Sequence, residues 1–233
     1  MEKNVHLFRM AAGKTLTLSG YNPATGSERS DDAEYSLVTD NNTDTTTAGS
    51  LDLTAYKWQN ADVEISGALT NVFGGKTVYG TDGATKNNKL TLKTGAAVTN
   101  AIAGDTQTDS GTAEENVLTV ADGSTVNAYG AKTKAGKAAK NRAIAAGGTV
   151  TNLIGAQSQS GTAAENLAEV GGGSVTNAYG AETLAGDAEH NSAVITSGSV
   201  TGSLIGAKSA GRAVKNSVTV RGGDISGASV SGA

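Results

Sequence analysis

One spacing constrains this chain more than any other feature. Asn116, Asn141, Asn166, Asn191 and Asn216 follow one another at intervals of 25 residues. A glycine stands seven residues after each, at Gly123, Gly148, Gly173, Gly198 and Gly223, and another five before, at Gly111, Gly136, Gly161, Gly186 and Gly211. One unit earlier the trio is Gly83, Asn88 and Gly95, with Asn88 28 residues ahead of Asn116. A looser copy, VEISGALTNVFGG, begins at Val63. A fixed period of this length marks units that cannot bury an apolar face alone and must stack.

Between each asparagine and its following glycine, apolar residues alternate with polar ones. The inward pairs are Leu90 and Leu92, Leu118 and Val120, Ala143 and Ala145, Ala168 and Val170, Ala193 and Ile195, and Val218 and Val220; Thr91, Thr119, Glu169 and Thr219 belong on the other face. Period-two alternation is the pattern of a half-buried strand. A second strand runs through segments such as Val150 to Ile154 and Val175 to Tyr179. Helical repeats would need a 3.6-residue apolar stripe and strong helix formers, which β-branched residues between glycines do not supply. The fold class is therefore all-β, a parallel β-solenoid with coils of about 25 residues stacked ~4.8 Å apart. Residues 60–233 read as the solenoid, cut partway through a repeat at Ala233, and 1–59 as an atypical N-terminal cap with irregular coils. TLTLSG from Thr15 and the start of YSLVTDNNTD at Tyr35 read as strands, and SERSDDAEYS and NNTDTTTAGS as exposed loops. The cap region also holds the only tryptophan, Trp58.

Stacking turns each repeated position into a column. The asparagines form a ladder that bonds successive coils, a structural role that predicts instability, rather than lost binding, for Asn166→Ala. The preceding residues, Glu115, Lys140, Glu165, His190 and Lys215, form a charged column whose first three signs alternate on a solvated face. His190 is one of two histidines and has no partner at ligand spacing, so it is not read as a metal ligand. A third column runs Ala128-Tyr129, Leu153-Ile154, Ala178-Tyr179, Leu204-Ile205, and its alternating sizes are expected to conserve core volume. Val126 breaks the parity of that strand, leaving Tyr129 and Tyr179 either buried or part of a contact surface. The stretch from Gly95 to Gly111 carries three extra residues, expected to bulge outward from Asp105 to Asp109. Asp105, Gln107, Asp109, Tyr129 and Tyr179 are the candidate ligand contacts; no catalytic, cofactor or metal residues are assigned.

Composition narrows the function classes. Glycine is 32 of 233 residues, charged residues are 17% and aromatic residues 4%, with no cysteine for disulfides or thiolate metal sites. A net charge of −4 with scattered lysines lacks the basic stripe of a nucleic-acid binder. No run reaches the 18 apolar residues of a membrane span, and MEKNVHLFRMAAGKT lacks the apolar core of a secretory signal. The expectation is a mature piece of a longer protein.

Units such as NSVTVRGGDISG, NSAVITSGSVTGSLIGA and NLAEVGGGSVTNAYGA resemble the repeats of autotransporter passenger domains, over about Ile65 to Ala233. That resemblance implies a right-handed parallel β-helix, secreted and displayed outside the outer membrane of a Gram-negative bacterium. It implies a membrane link only through a C-terminal barrel that this chain does not contain. Its implied roles are adhesion to a host or bacterial surface protein or glycan, self-association, biofilm formation and virulence. Nearly identical coils with short loops leave no cleft for clustered acids and bases, so no enzymatic activity is expected. The 25-residue unit departs from the shorter repeats of self-associating adhesins, and no G-D-S-G-[GS] protease motif occurs. A polysaccharide-acting β-helix enzyme and a passive stalk are the alternative readings.

Overall fold

The computed structural model describes 57–78 and 83–232, together with strands at Thr15–Ser19, Tyr21–Asn22, Ser27–Glu28, Ser36–Val38 and Gly49–Thr54; side chains are described from Gln59 onward. The described residues form a parallel β-solenoid with no helix. Its three parallel sheets contain ten, eight and seven strands. Each coil is named here by its asparagine. The Asn141 coil runs through a four-residue strand, Arg142–Ala145, a corner at Gly148, a ten-residue strand, Thr149–Ser158, and a two-residue strand, Ala163–Ala164. Equivalent strands of successive coils pair in register, as in Ala143 with Leu118 before it in the stack and Ala168 after it (Leu118, Ala143 and Ala168 are the first inward residues of their strands). These strands define a middle, a long and a short face.

The alternation read from the sequence sets the core. Leu90, Leu92, Leu118, Val120, Ala143, Ala145, Ala168, Val170, Ala193 and Ile195 are all fully buried in one cluster. The pair Val218 and Val220 is less covered, with Val220 48% exposed at the last described coil. On the long face Val150, Val175 and Val200 point inward, whereas in the Asn116 coil the inward residue is Thr125 and Val126 is exposed. Parity is thus kept and only the residue changes. Thr125 Oγ1 donates to the Asn127 carbonyl at 3.1 Å, which satisfies the buried hydroxyl.

The long strand does not keep its alternation to the end. Ala128 joins the main core, Tyr129 faces outward, and Ala131 enters a separate cluster with Ala113, Ala138 and Ala156. The break falls at Gly130, where a Cβ would lie 2.7 Å from the Arg142 carbonyl oxygen and 2.4 Å from that of Gly155. Bare backbone there lets the long strand touch the start of the next middle strand. That junction divides the interior into a main core and a thin alanine core. Because each Ala-Tyr or Leu-Ile pair straddles the sheet, Tyr129 does not compensate for the small Ala128, contrary to expectation. The balance lies within a coil instead, since Ala128 shares the Asn116 coil with Leu118, and Leu153 shares the Asn141 coil with Ala143.

The asparagine ladder sits beside this junction, and a Cβ on Gly104 would meet Asn116 Nδ2 at 2.4 Å. Asn88, Asn116, Asn141 and Asn191 are wholly buried. Asn166 Oδ1 accepts from the main-chain N–H and from Nδ2 of Asn141, both at 3.0 Å. Its own Nδ2 donates to Asn191 Oδ1 at 2.9 Å and to the Ala138 carbonyl at 3.0 Å. Every donor and acceptor of the side-chain amide is therefore used. The preceding column adopts the left-handed conformation, with φ of 56° at Glu115, 57° at Lys140, 57° at Glu165, 55° at His190 and 54° at Lys215. This turn aims the Lys140 N–H at the Ala164 carbonyl, 3.0 Å away, and directs Asn141 inward. The expected charge pairing down that column is not what forms. Glu115 instead meets Lys86, at 3.8 Å, because the strained corner projects each side chain into solvent.

Four of the described strands of 1–59 join the same stack. Gly49–Thr54 pairs with Thr15–Ser19 and, through two register shifts, with Ala68–Thr77; Ser36–Val38 extends the middle face. Tyr21–Asn22 and Ser27–Glu28 form an antiparallel pair unlike anything in the repeats. The two expected loops lie outside the described residues except where they touch these strands, as does the Trp58 side chain.

Two stability outcomes follow. Asn166→Ala strands two donors of Asn141 and the Ala138 carbonyl, each orphan costing about 1–3 kcal/mol, so urea denaturation should show a loss of about 3 kcal/mol or more. Lys140→Gly relieves a left-handed conformation worth about 1–2 kcal/mol against a glycine entropy cost of about 0.5–1, so its melting temperature should rise.

Candidate functional site on the outer long face

Beyond the main core, the outer side of the long face carries three adjoining columns. The central one stacks Phe73, Ile102, Tyr129 and Ile154, with the half-buried Tyr179 packed against them. Parallel in-register pairing puts Ile102 and Ile154 on either side of Tyr129. Tyr129 is consequently only 9% exposed. Lysine ammonium groups lie over the rings of their own coils, Lys76 over Phe73 at 4.5 Å, Lys132 over Tyr129 at 4.9 Å and, from the next coil, Lys208 over Tyr179 at 5.9 Å. Burial, and then the negative charge of Glu182, push the Tyr129 hydroxyl above its ordinary pKa.

One flank is a charged column. Asp105 pairs in register with Lys76 and Lys132, and Gln157 follows Lys132. Gln157 Nε2 donates to Glu182 at 2.7 Å, and Lys208 Nζ donates to the other Glu182 oxygen at 3.2 Å. This bond, then the charge of Glu182, hold the Lys208 ammonium above its usual pKa. The other flank is a second asparagine ladder. Asn100 donates to Asn71, Asn127 to Asn100, Asn152 to Asn127 and Asn177 to Asn152, at 2.8–2.9 Å. Its donors point toward earlier coils, opposite to those of the buried ladder. It stops at Asn177, where Gly202 adds a residue and shifts the register so that Asn177 faces Ser203.

The candidate contacts are thus distributed rather than gathered. Tyr129 and Tyr179 share the central stripe, whose ring faces are covered by lysines. Asp105 is buried in the strand Ala97–Thr106 and accepts from Gln107 Nε2. Asp109 is exposed and pairs with Lys134 at 2.6 Å. The three extra residues also do not form one bulge. Ala97 aligns with Ser124 and Thr106 with Thr133, so one extra residue enlarges the corner after Gly95 and two lie beyond Thr106. Here the insertions fall outside the strand, where they leave its side-chain alternation intact, whereas the residue added at Gly202 is absorbed within a strand as a register shift.

Two columns escaped the sequence reading. The second asparagine ladder stands in the sequence as Asn100, Asn127, Asn152 and Asn177, within segments whose pattern otherwise predicts only a strand. The other is a buried hydroxyl column, with Thr133 Oγ1 donating to the Gly136 carbonyl at 3.1 Å and Thr183 Oγ1 to that of Gly186 at 2.7 Å. Its signal was a threonine three residues before the corner glycine.

Among the described residues, no group of three or more His, Cys, Asp or Glu side chains is placed to hold a metal ion. No helix among them is long and apolar enough to cross a membrane. Fold and faces define the class, a parallel β-solenoid repeat protein. Comparisons with known protein families, curated proteins and solved structures returned no match.

A structural role for the stripe predicts that Tyr129→Ala lowers stability by about 3–5 kcal/mol, the range of buried aromatic truncations. Lys132→Ala, which removes one cation–π contact made by a half-buried lysine, should cost about 1 kcal/mol. Thermal and urea denaturation of both variants test the contrast.

Proposed function

We propose that the chain is a surface-displayed solenoid of the adhesin type, part of an autotransporter-like passenger, that acts through many weak contacts made by its repeated outer faces. The observation that carries this reading is the exposed register on the first half of the long face. Ser124, Thr149 and Ser174 form one exposed column, and Thr151, Thr176 and Thr201 another. Parallel pairing repeats these uncharged hydroxyls at about the ~4.8 Å interstrand spacing. A partner that is itself repetitive, whether a polymer or a neighbouring copy, can engage several coils together, and linked weak contacts multiply in effective affinity. The absence of cysteine and the repeat style are compatible with display outside a Gram-negative cell.

Sedimentation velocity over a concentration series, together with settling of cells displaying the chain, tests the reading. Concentration-dependent association or cell clumping is expected, and charged substitutions at Thr151 and Thr176 should weaken it without lowering the melting temperature. Monomeric behaviour with no clumping would favour a passive stalk, and depolymerisation of a polysaccharide would favour an enzyme.

A further inference from the structure

On the short face the repeat is broken where no core requirement explains it. One outward column reads Glu114, Ala139, Ala164, Glu189, with each residue in register with the next. Both alanines are buried, and the second, Ala164, lines a depression beside Glu189. A groove of about 550 Å³ opens there, lined by Gly136, Gly161 and Ala164 with Lys137, Glu165, Glu189 and His190 around them. Thr162 contributes a hydroxyl to the same lining.

The floor is bare for a reason. A Cβ on Gly136 would stand 1.7 Å from the Gly111 carbonyl oxygen, and one on Gly161 would stand 2.1 Å from that of Gly136. Coil stacking therefore excludes side chains at these positions, while the Gly136 carbonyl accepts from Thr133 Oγ1 at 3.1 Å and the Gly161 N–H donates to Ser158 Oγ at 2.9 Å. The left-handed corners at Glu165 and His190 project their side chains over its edge. The ionic groups are also unspent. Among the described residues, Lys137, Glu165, Glu189 and His190 make no side-chain hydrogen bond or ion pair, unlike Glu169 with Arg142 at 2.9 Å or Asp109 with Lys134 at 2.6 Å.

We infer that this groove is a saccharide-binding subsite, selective for neutral or amine-bearing sugars over anionic ones. Its volume lies within the range of small-molecule sites, about 300–1,000 Å³. The lining combines acceptors at Glu165 and Glu189, a donor at Lys137, and groups at Thr162 and His190 that can do both, which matches the mixed character of sugar hydroxyls. Two unpaired carboxylates outweigh the one ammonium, so a sugar acid is repelled and a sugar amine attracted. The proposal rests on the adhesin reading only for its biological setting, since it gives the repeated scaffold one local, specific contact.

The test is a 15N NMR titration of the whole chain with a tetramer of β-1,4-linked glucosamine, using tetragalacturonate as the anionic control. Saturable shifts centred on Gly136, Gly161, Ala164 and His190 are expected with the amine tetramer, and at least about tenfold weaker binding with the uronate. The double variant Glu165→Gln, Glu189→Gln should weaken binding about tenfold or more at an unchanged melting temperature. Ala164→Glu, which fills the depression with the residue its neighbour in the column already carries, should abolish it. Shifts spread over all charged faces, equal binding of the uronate, or full binding by either variant would overturn the subsite. Self-association without saccharide shifts would refute the subsite and leave the adhesin reading intact, whereas localised shifts in a protein that never associates would do the reverse.

Discussion

The buried asparagine ladder is the interaction on which the rest of the solenoid depends. It runs where the long strand, stripped to glycine, passes the start of the next middle strand. Large side chains cannot enter so narrow a junction, yet its backbone groups still need partners. An amide with two donors and two lone pairs meets that need, and each one joins its neighbours on both sides. Once it is in place the two cores are held apart, and each needs only small or medium side chains. That accounts for a stable stack built from valine, alanine and threonine with two phenylalanines in the whole chain.

Much of this architecture was legible in the sequence because stacking converts every structural demand into a period. The inward pairs, the corner glycines and the role of Asn116 to Asn216 could be read directly. Features that depend on a bend inside one strand could not. Ala128 and Ala131 both point inward although they stand three positions apart, an offset that strict alternation puts on opposite faces, and only the closeness of Gly130 to Arg142 explains why. For the same reason Tyr129 could be placed on neither face, and its supposed partnership with Ala128 in filling the core was mistaken. The charged column before the asparagines gave the right residues and exposure but not the left-handed backbone that scatters them.

The site reading followed the same division. Asp105, Gln107 and Asp109 drew attention as an insertion, yet pairing pulled Asp105 into the strand and left Asp109 to Lys134. The groove beside Glu165 and Glu189 was hidden for the opposite reason. It lies over Ala164, whose significance appears only against Glu189, the residue in register with it one coil later. In a repeat protein a specific site is marked less by unusual residues than by a missing one.

The buried ladder also has a direction. Each asparagine offers its main-chain and side-chain N–H groups to the carbonyl oxygen of the following amide, so the acceptor is always supplied by the later coil. Ala61 can occupy the first described rung because its N–H alone reaches Asn88 Oδ1, at 3.1 Å. Every later rung needs a side chain that accepts. Each coil between Asn116 and Asn191 therefore presents donors to the later coil and an acceptor to the earlier one, in the same pattern every time, and any one of them can be duplicated or lost without creating a mismatched seam. Such a molecule can change its length by whole coils under selection while its cross-section stays fixed.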